Sequence, residues 1–184
     1  MDERQLIERV LAGDAAAERS LYESHVERIY RLAYRMTGDE NMAEDCTQDT
    51  FVKAFDHLSD FEGRAALSTW LHSIAVSVVL NRLRKVKRLR RREADLDNVP
   101  AGTAAIPPAD LELKLHLHAA IDKLTDGLRL VFVMHDIEGY KHQEIAAILG
   151  VPEGTSKTRL FRARQLLREE LIQGGSSTAR EEGS

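Results

Sequence analysis

The sequence predicts an all-α protein: two small helical domains joined by a flexible linker. Three observations carry that expectation. Apolar residues recur at helical spacing along almost the whole chain, and period-two alternation is absent. Ala, Leu, Glu and Arg are plentiful while proline numbers only four, which favours helix. Three of those four prolines fall within residues 93–112, "EADLDNVPAGTAAIPPADLE", a stretch of small and acidic residues without base. That is a linker composition. The 184-residue length accommodates one domain or two small ones, and a 43% apolar fraction can build cores. No internal repeat is visible.

Leu6, Ile7, Val10 and Leu11 form a first short stripe that ends near Gly13. Asp14 is placed to cap a second helix carrying Leu21, Tyr22, Val26, Ile29, Tyr30, Ala33 and Met36. Gly38 stands where a helix C-terminus favours glycine. Asp39 then caps a third helix, "ENMAEDCTQDTFVKAFDHL", in which Thr47, Phe51, Ala54, Phe55 and Leu58 share the core face. The segment "SDFEGRAAL" reads as a loop, and Ser68 is placed to cap a fourth helix that runs through "NRLRKVKRLRRR". Domain one is thus 1–92, the linker 93–112, domain two 113–172 and a disordered tail 173–184. In domain two the helical pattern resumes at Leu113, Thr125 caps "DGLRLVFVMHDIEG", and two closely joined helices follow.

Several classes are excluded early. No apolar run reaches the length of a membrane span, and the charged start "MDERQLIERV" lacks the apolar core of a signal peptide. One cysteine, Cys46, cannot form an internal disulfide, which fits a reducing cytoplasm. No Gly-rich phosphate loop, catalytic triad or zinc pattern is present, so neither an enzyme nor a cofactor is expected. His116 and His118 point to different sides of a helix, and the other five histidines lack ligand spacing. Glu44, Asp45 and Asp49 have no further ligand obliged to converge on them. Cys46 has no basic neighbour in sequence to activate it and reads as structural or as a partner contact.

Charge is distributed unevenly about a net −4. Arg82 to Arg92 hold eight cations and no acid, and Glu93, Asp95 and Asp97 follow at once. A second basic run lies in "HQEIAAILGVPEGTSKTRLFRAR", which fits a helix-turn-helix. Ile145 and Leu149 face the core, Ala146 permits close approach, Gly150 sits in the turn, and Pro152 suits the start of the next helix. Leu160, Leu166 and Leu167 dock that helix. Its other face carries Lys157, Thr158, Arg159, Arg162, Arg164 and Arg168, as phosphate and base-edge contacts require. A solvated basic face on an ordinary helical hairpin is the plain alternative.

At this point the residues resemble a family. "LRLVFVMHDIEGYKHQEIAAILGVPEGTSKTRLFRARQLLREEL" is similar to region four of extracytoplasmic-function (ECF) sigma factors, promoter-recognition subunits of bacterial RNA polymerase. "AEDCTQDTFVKAF", "DFEGRAALSTWLHSIAV" and the basic helix after them resemble region two. The resemblance spans roughly residues 4–172, with both motif sets in the family's order. It departs at two positions. Ser77 stands where the family usually has an Asn that helps capture a flipped base, and Ser156 stands where it favours a β-branched apolar residue. A helical Ser is expected to bond back to a carbonyl one turn earlier.

The resemblance implies roles. Asp45, Gln48, Asp49 and Val52, on the face opposite the core, would dock the clamp helices of core RNA polymerase; a solvated acidic face is the alternative. Phe61, Trp70, Ser77 and Asn81, with Arg82 and Arg84, would hold the minus-ten element, although Phe61 and Trp70 also suit a core. Lys157, Thr158, Arg159, Phe161, Arg162 and Arg164 would read the minus-thirty-five element. Lys87 to Arg92 would add sequence-independent phosphate affinity. The acidic linker would thread a basic polymerase channel. Promoter DNA, duplex and melted, and an anti-sigma factor are the implied partners. Competing readings are a stand-alone helix-turn-helix regulator, which would bind duplex without polymerase, and a helical adaptor that binds only proteins.

Overall fold

Local chemistry sets several of the helix starts and stops. The computed structural model describes residues 2–92 and 117–181, and the chain divides into two compact units, Met1–Ala94 and Asp95–Ser184. Every described element is helical. The expected linker and the resumption at Leu113 lie outside the described residues.

The first unit holds α1 (Glu3–Leu11), α2 (Ala15–Thr37), α3 (Glu40–Asp56), a short 3₁₀ turn (Leu58–Asp60) and α4 (Leu67–Arg92). Asp14 Oδ1 accepts from the Ala16 and Ala17 N–H groups at 2.9 and 3.2 Å, so α2 begins as expected. Gly38 closes α2 in the left-handed region (φ 65°), with its N–H on the Tyr34 carbonyl at 2.7 Å. Asp39 Oδ1 then accepts from the Met42 N–H at 2.7 Å and starts α3. Helices α2, α3 and α4 pack on one another over a core that includes Leu21, Leu32, Met36, Phe51, Leu71 and Val79.

The start of α4 differs from expectation. The helix begins at Leu67, before Ser68, and the Leu67 N–H donates to Glu3 Oε1 at 3.1 Å. An acid from α1 thus fills a capping position 64 residues away in sequence. The exchange is physically sound, because a carboxylate satisfies an orphan N–H and opposes the positive end of the helix dipole. In α1 only Val10 is fully buried, and Leu11 is exposed.

The second unit holds α5 (117–122), α6 (Asp126–Phe132) continuing into a π-turn (Val133–Ile137), α7 (His142–Leu149) and α8 (Glu153–Glu181). Ala120, Ile121, Leu124, Ala163 and Leu167 form one core cluster, with Leu128 and Phe132 packed against it. Buried Arg129 donates to the carbonyls of Ile121 at 3.2 Å and Leu124 at 2.9 Å, and to that of Asp122. It closes the C-terminus of α5. Thr125 stands at the N-cap of α6, yet its side chain makes no cap bond.

Gly150 takes φ 66° between α7 and α8, giving the turn its left-handed residue. Among the described side chains of α8, Ser156, Leu160, Ala163 and Leu167 are buried. Leu166, expected to dock the helix, is instead 44% exposed, because the helical phase places Ala163 and Leu167 on the core side. The helix continues to Glu181. A docked helix supplies its own nucleus, so extension needs only propagation.

Candidate nucleic-acid interface

In the first unit, the end of α3, the 3₁₀ turn after it and α4 make a groove of about 410 Å³. Lys53, His57 and Asp60 wall one side, and Trp70, Ile74 and Ser77 wall the other. The second set follows from helical spacing, since positions 70, 74 and 77 fall on one face. Phe61, in the loop before α4, packs its ring against Trp70 at 5.4 Å between centroids and a 55° tilt. Both rings are half-buried rather than sealed in the core, and Ser77 is exposed. His57 Nδ1 lies 3.1 Å from Asp60 Oδ2. The groove therefore offers an aromatic surface, a hydroxyl and a lysine ammonium, the components a splayed base and its phosphate need.

Asn81 continues the same face one turn on, and its Oδ1 accepts from Arg84 Nη1 at 3.3 Å. Arg82 turns the other way and pairs with Asp45 on α3. The chain remains helical to Arg92, so groove and basic run share one rod.

On α3, Asp45, Gln48, Asp49 and Val52 are all exposed, with Val52 61% exposed. Steps of three and four residues place them on one face. The opposite side buries Thr47, Thr50, Phe51 and Ala54. Cys46 is fully buried, and burial pushes its thiol up to about 11, so it stays protonated at neutral pH.

In the second unit, the candidates on α8 separate into two groups. Lys157, Thr158, Phe161 and Arg162 point outward, and Phe161 is 70% exposed. Lys157 Nζ lies 2.7 Å from Glu153, and Thr158 Oγ1 donates to the Gly154 carbonyl at 2.9 Å. Arg159 is half-buried over Gly127, where a Cβ would stand 3.6 Å from the guanidinium carbon. Arg164 forms a two-bond pair with Asp136, Nε to Oδ2 at 2.8 Å and Nη2 to Oδ1 at 2.7 Å. That pairing holds the Asp136 carboxyl below its usual range and raises Arg164.

Ser156 departs from the expected back-bond. It is fully buried, and its hydroxyl meets His142 Nδ1 at 2.9 Å, across the helix-turn-helix. The His142 ring stacks on His135 at 4.4 Å, and His135 Nδ1 reaches Asp136 Oδ1 at 2.8 Å. Burial first, and then the neighbouring His135, push the His142 pKa down. Among the described residues no cluster of three or more His, Cys, Asp or Glu is arranged to hold a metal.

Both units match known sequence families. Residues 21–89 match Sigma-70 region 2, and residues 114–167 match Sigma-70, region 4. Over 174 residues the chain is 38% identical to the ECF RNA polymerase sigma factor SigE of Mycolicibacterium smegmatis, covering 91% of this chain and 67% of that protein. It is 33% identical to the ECF sigma factor SigW of Bacillus subtilis, covering 91% and 96% respectively. The chain belongs to the ECF RNA polymerase sigma factors.

This sigma factor is accordingly a promoter-directing transcription initiation factor, and the stand-alone regulator is not favoured. Its fold resembles RpoE of Bartonella quintana, solved with the anti-sigma factor NepR, at a TM-score of 0.59 and 29% identity over 84% of this chain and 96% of that one. It also resembles CnrH, solved with the cytosolic domain of CnrY, at a TM-score of 0.51 and 25% identity over 93% and 97%. The region-two match contains the whole α3–α4 groove, and the region-four match contains the helix-turn-helix.

Sequence reading missed Lys53 and His57 as groove walls, although their spacing of four on the edge of α3 was a usable signal. It also missed Glu3, Arg129 and Asp136, whose partners lie on other elements and leave no local pattern.

Proposed function

We propose that this sigma factor captures the melted minus-ten strand in the α3–α4 groove, reads the minus-thirty-five element with the outward face of α8, and docks core polymerase through α3. The observation that carries the reading is the groove itself, in which Trp70 and Ser77 line one wall and Phe61 supports Trp70. Trp70 supplies the stacking surface, Ser77 a short hydrogen-bonding group, and Lys53 a phosphate contact. Asn81 and Arg84 lie one turn further on, toward the upstream duplex. On α8, Lys157 and Arg162 take phosphates, while Thr158 and Phe161 face base edges. Arg159 and Arg164 act from the sides of that surface.

Energetics explain why polymerase is required. Opening a base-pair step costs about 1–2 kcal/mol. Stacking a flipped base returns about 1–3 kcal/mol. Polymerase holds the two promoter-binding units together on one DNA, which raises the effective concentration of each contact. The protein itself performs no covalent step and acts in the cytoplasm; no described helix is long and apolar enough to cross a membrane. RpoE was solved with the anti-sigma factor NepR bound, which supports an anti-sigma partner for this chain.

The test is run-off transcription with purified core polymerase on a genomic promoter library. Sigma-dependent transcripts are expected, and Ser77→Asn should change preference at one minus-ten position. No transcript under any salt condition, from a template set that a relative transcribes, would overturn the reading.

A further inference from the structure

In the first unit an ionic contact joins the two helices to which separate roles have just been given. Arg82 belongs to α4, beside Asn81, and Asp45 belongs to the exposed face of α3. Their side chains meet at the surface, 36% and 55% exposed. We propose that Asp45 is a positioning residue for Arg82: in the free protein it draws the guanidinium away from DNA, and docking of polymerase on α3 releases it. This inference rests on the reading of α3 as the polymerase dock.

Three features support it. Helix α3 packs directly on α4, so a pair between them spans the junction of the two surfaces. Asp49 lies one turn beyond Asp45 on the same exposed face, which makes that face acidic and selects a cationic partner. A cationic group from that partner competes for the Asp45 carboxylate. The pair is exposed rather than sealed, so exchanging it requires no burial of an unpaired charge. Arg82, once released, has a long side chain with which to swing round α4 and reach phosphate.

The size of the effect follows from the exposure. Exposed pairs of this kind bias an equilibrium by between about one-and-a-half- and fivefold. The device is therefore a bias. Linkage makes it reciprocal, so DNA that engages Arg82 must tighten polymerase binding by the same factor.

The experiment uses the full chain as wild type, Asp45→Asn, Arg82→Gln and the double variant. Glu44→Gln removes the same charge from the neighbouring position without touching the pair. Anisotropy of a fluorescein-labelled random duplex across a salt series reads DNA affinity, and binding to core polymerase is measured in parallel. Asp45→Asn alone is expected to bind duplex about one-and-a-half- to fivefold more tightly, with a salt slope steeper by about 0.9. The gain should vanish in the Arg82→Gln background, and Asp45→Asn should weaken polymerase binding. A gain equal to that of Glu44→Gln, or one that survives Arg82→Gln, overturns the hold of Asp45 on Arg82. If Asp45→Asn, Asp49→Asn and Val52→Glu all bind polymerase like wild type, the docking assignment fails, and the coupling falls with it.

Discussion

Replacing Arg129 by Met isolates what one buried cation contributes to the second unit. Arg129 is 6% exposed and ties the Ile121 and Leu124 carbonyls through buried bonds. Methionine keeps the aliphatic stem and removes every donor. The buried Leu124 carbonyl then loses its donor, at about 1–3 kcal/mol, while the Ile121 carbonyl keeps the Leu124 N–H at 3.0 Å. Relief from holding a desolvated guanidinium returns part of that cost, which leaves a net loss of about 2 kcal/mol. Lysine, with one donor head in place of a fork, is expected to recover less than half. The assay exploits composition: the single tryptophan, Trp70, lies in the first unit. In urea, helical circular dichroism of Arg129→Met should develop an early transition, while the Trp fluorescence midpoint stays at the wild-type value. A loss below about 1 kcal/mol would show that the end of α5 is satisfied without Arg129. An equal shift of both signals would refute independent unfolding of the two units.

Three further outcomes are expected. The folded His142 pKa lies below its ordinary value of 6.5, so its contribution to stability is present above that value and is lost as pH falls through the folded pKa. Denaturation of the second unit should therefore become easier from about pH 6.5 downward, and His142→Gln should flatten that dependence relative to wild type. Glu3→Ala removes the distant cap of α4 and should lower the stability of the first unit by about 0.5–1 kcal/mol, read by Trp70 fluorescence. Exchanging Glu93, Asp95, Asp97 and Asp110 for Lys should impair run-off transcription more than binding to isolated promoter DNA; equal losses would reduce that segment to a tether.

What could be read from sequence divides by the reach of each interaction. Asp14, Gly38, Asp39 and Gly150 act within a turn of their own position, and each caps or closes its helix as their spacing predicts. Ser68 and Thr125 satisfy the same local rules, yet the neighbouring helix ends are secured by Glu3 and Arg129 from elsewhere. Composition cannot anticipate such substitutions, because any acid or arginine of adequate length would serve. The same holds for Ser156. Its back-bond was the local option, but a buried hydroxyl next to His142 found a better-placed partner 14 residues away. Helical spacing sufficed to assemble Trp70 and Ser77 on one side of α4, whereas the lysine and histidine facing them required the packing of α3. Leu166 shows the limit of reading phase along a long helix: of the three leucines expected to dock α8, Leu160 and Leu167 are buried and Leu166 is exposed.

The unbroken course of α4 has a metrical consequence. Its 26 residues extend about 39 Å, the length of about 11 base pairs of duplex. Ser77 and Arg88 are separated by about 16 Å, or about five base pairs. On the proposed reading a single helix would work as a ruler: the point at which strands part and the stretch of phosphate gripped upstream would be set at a fixed interval. Spacing on the DNA becomes a property of backbone geometry, and a promoter with the right bases at the wrong interval would fail to engage both ends of the helix together.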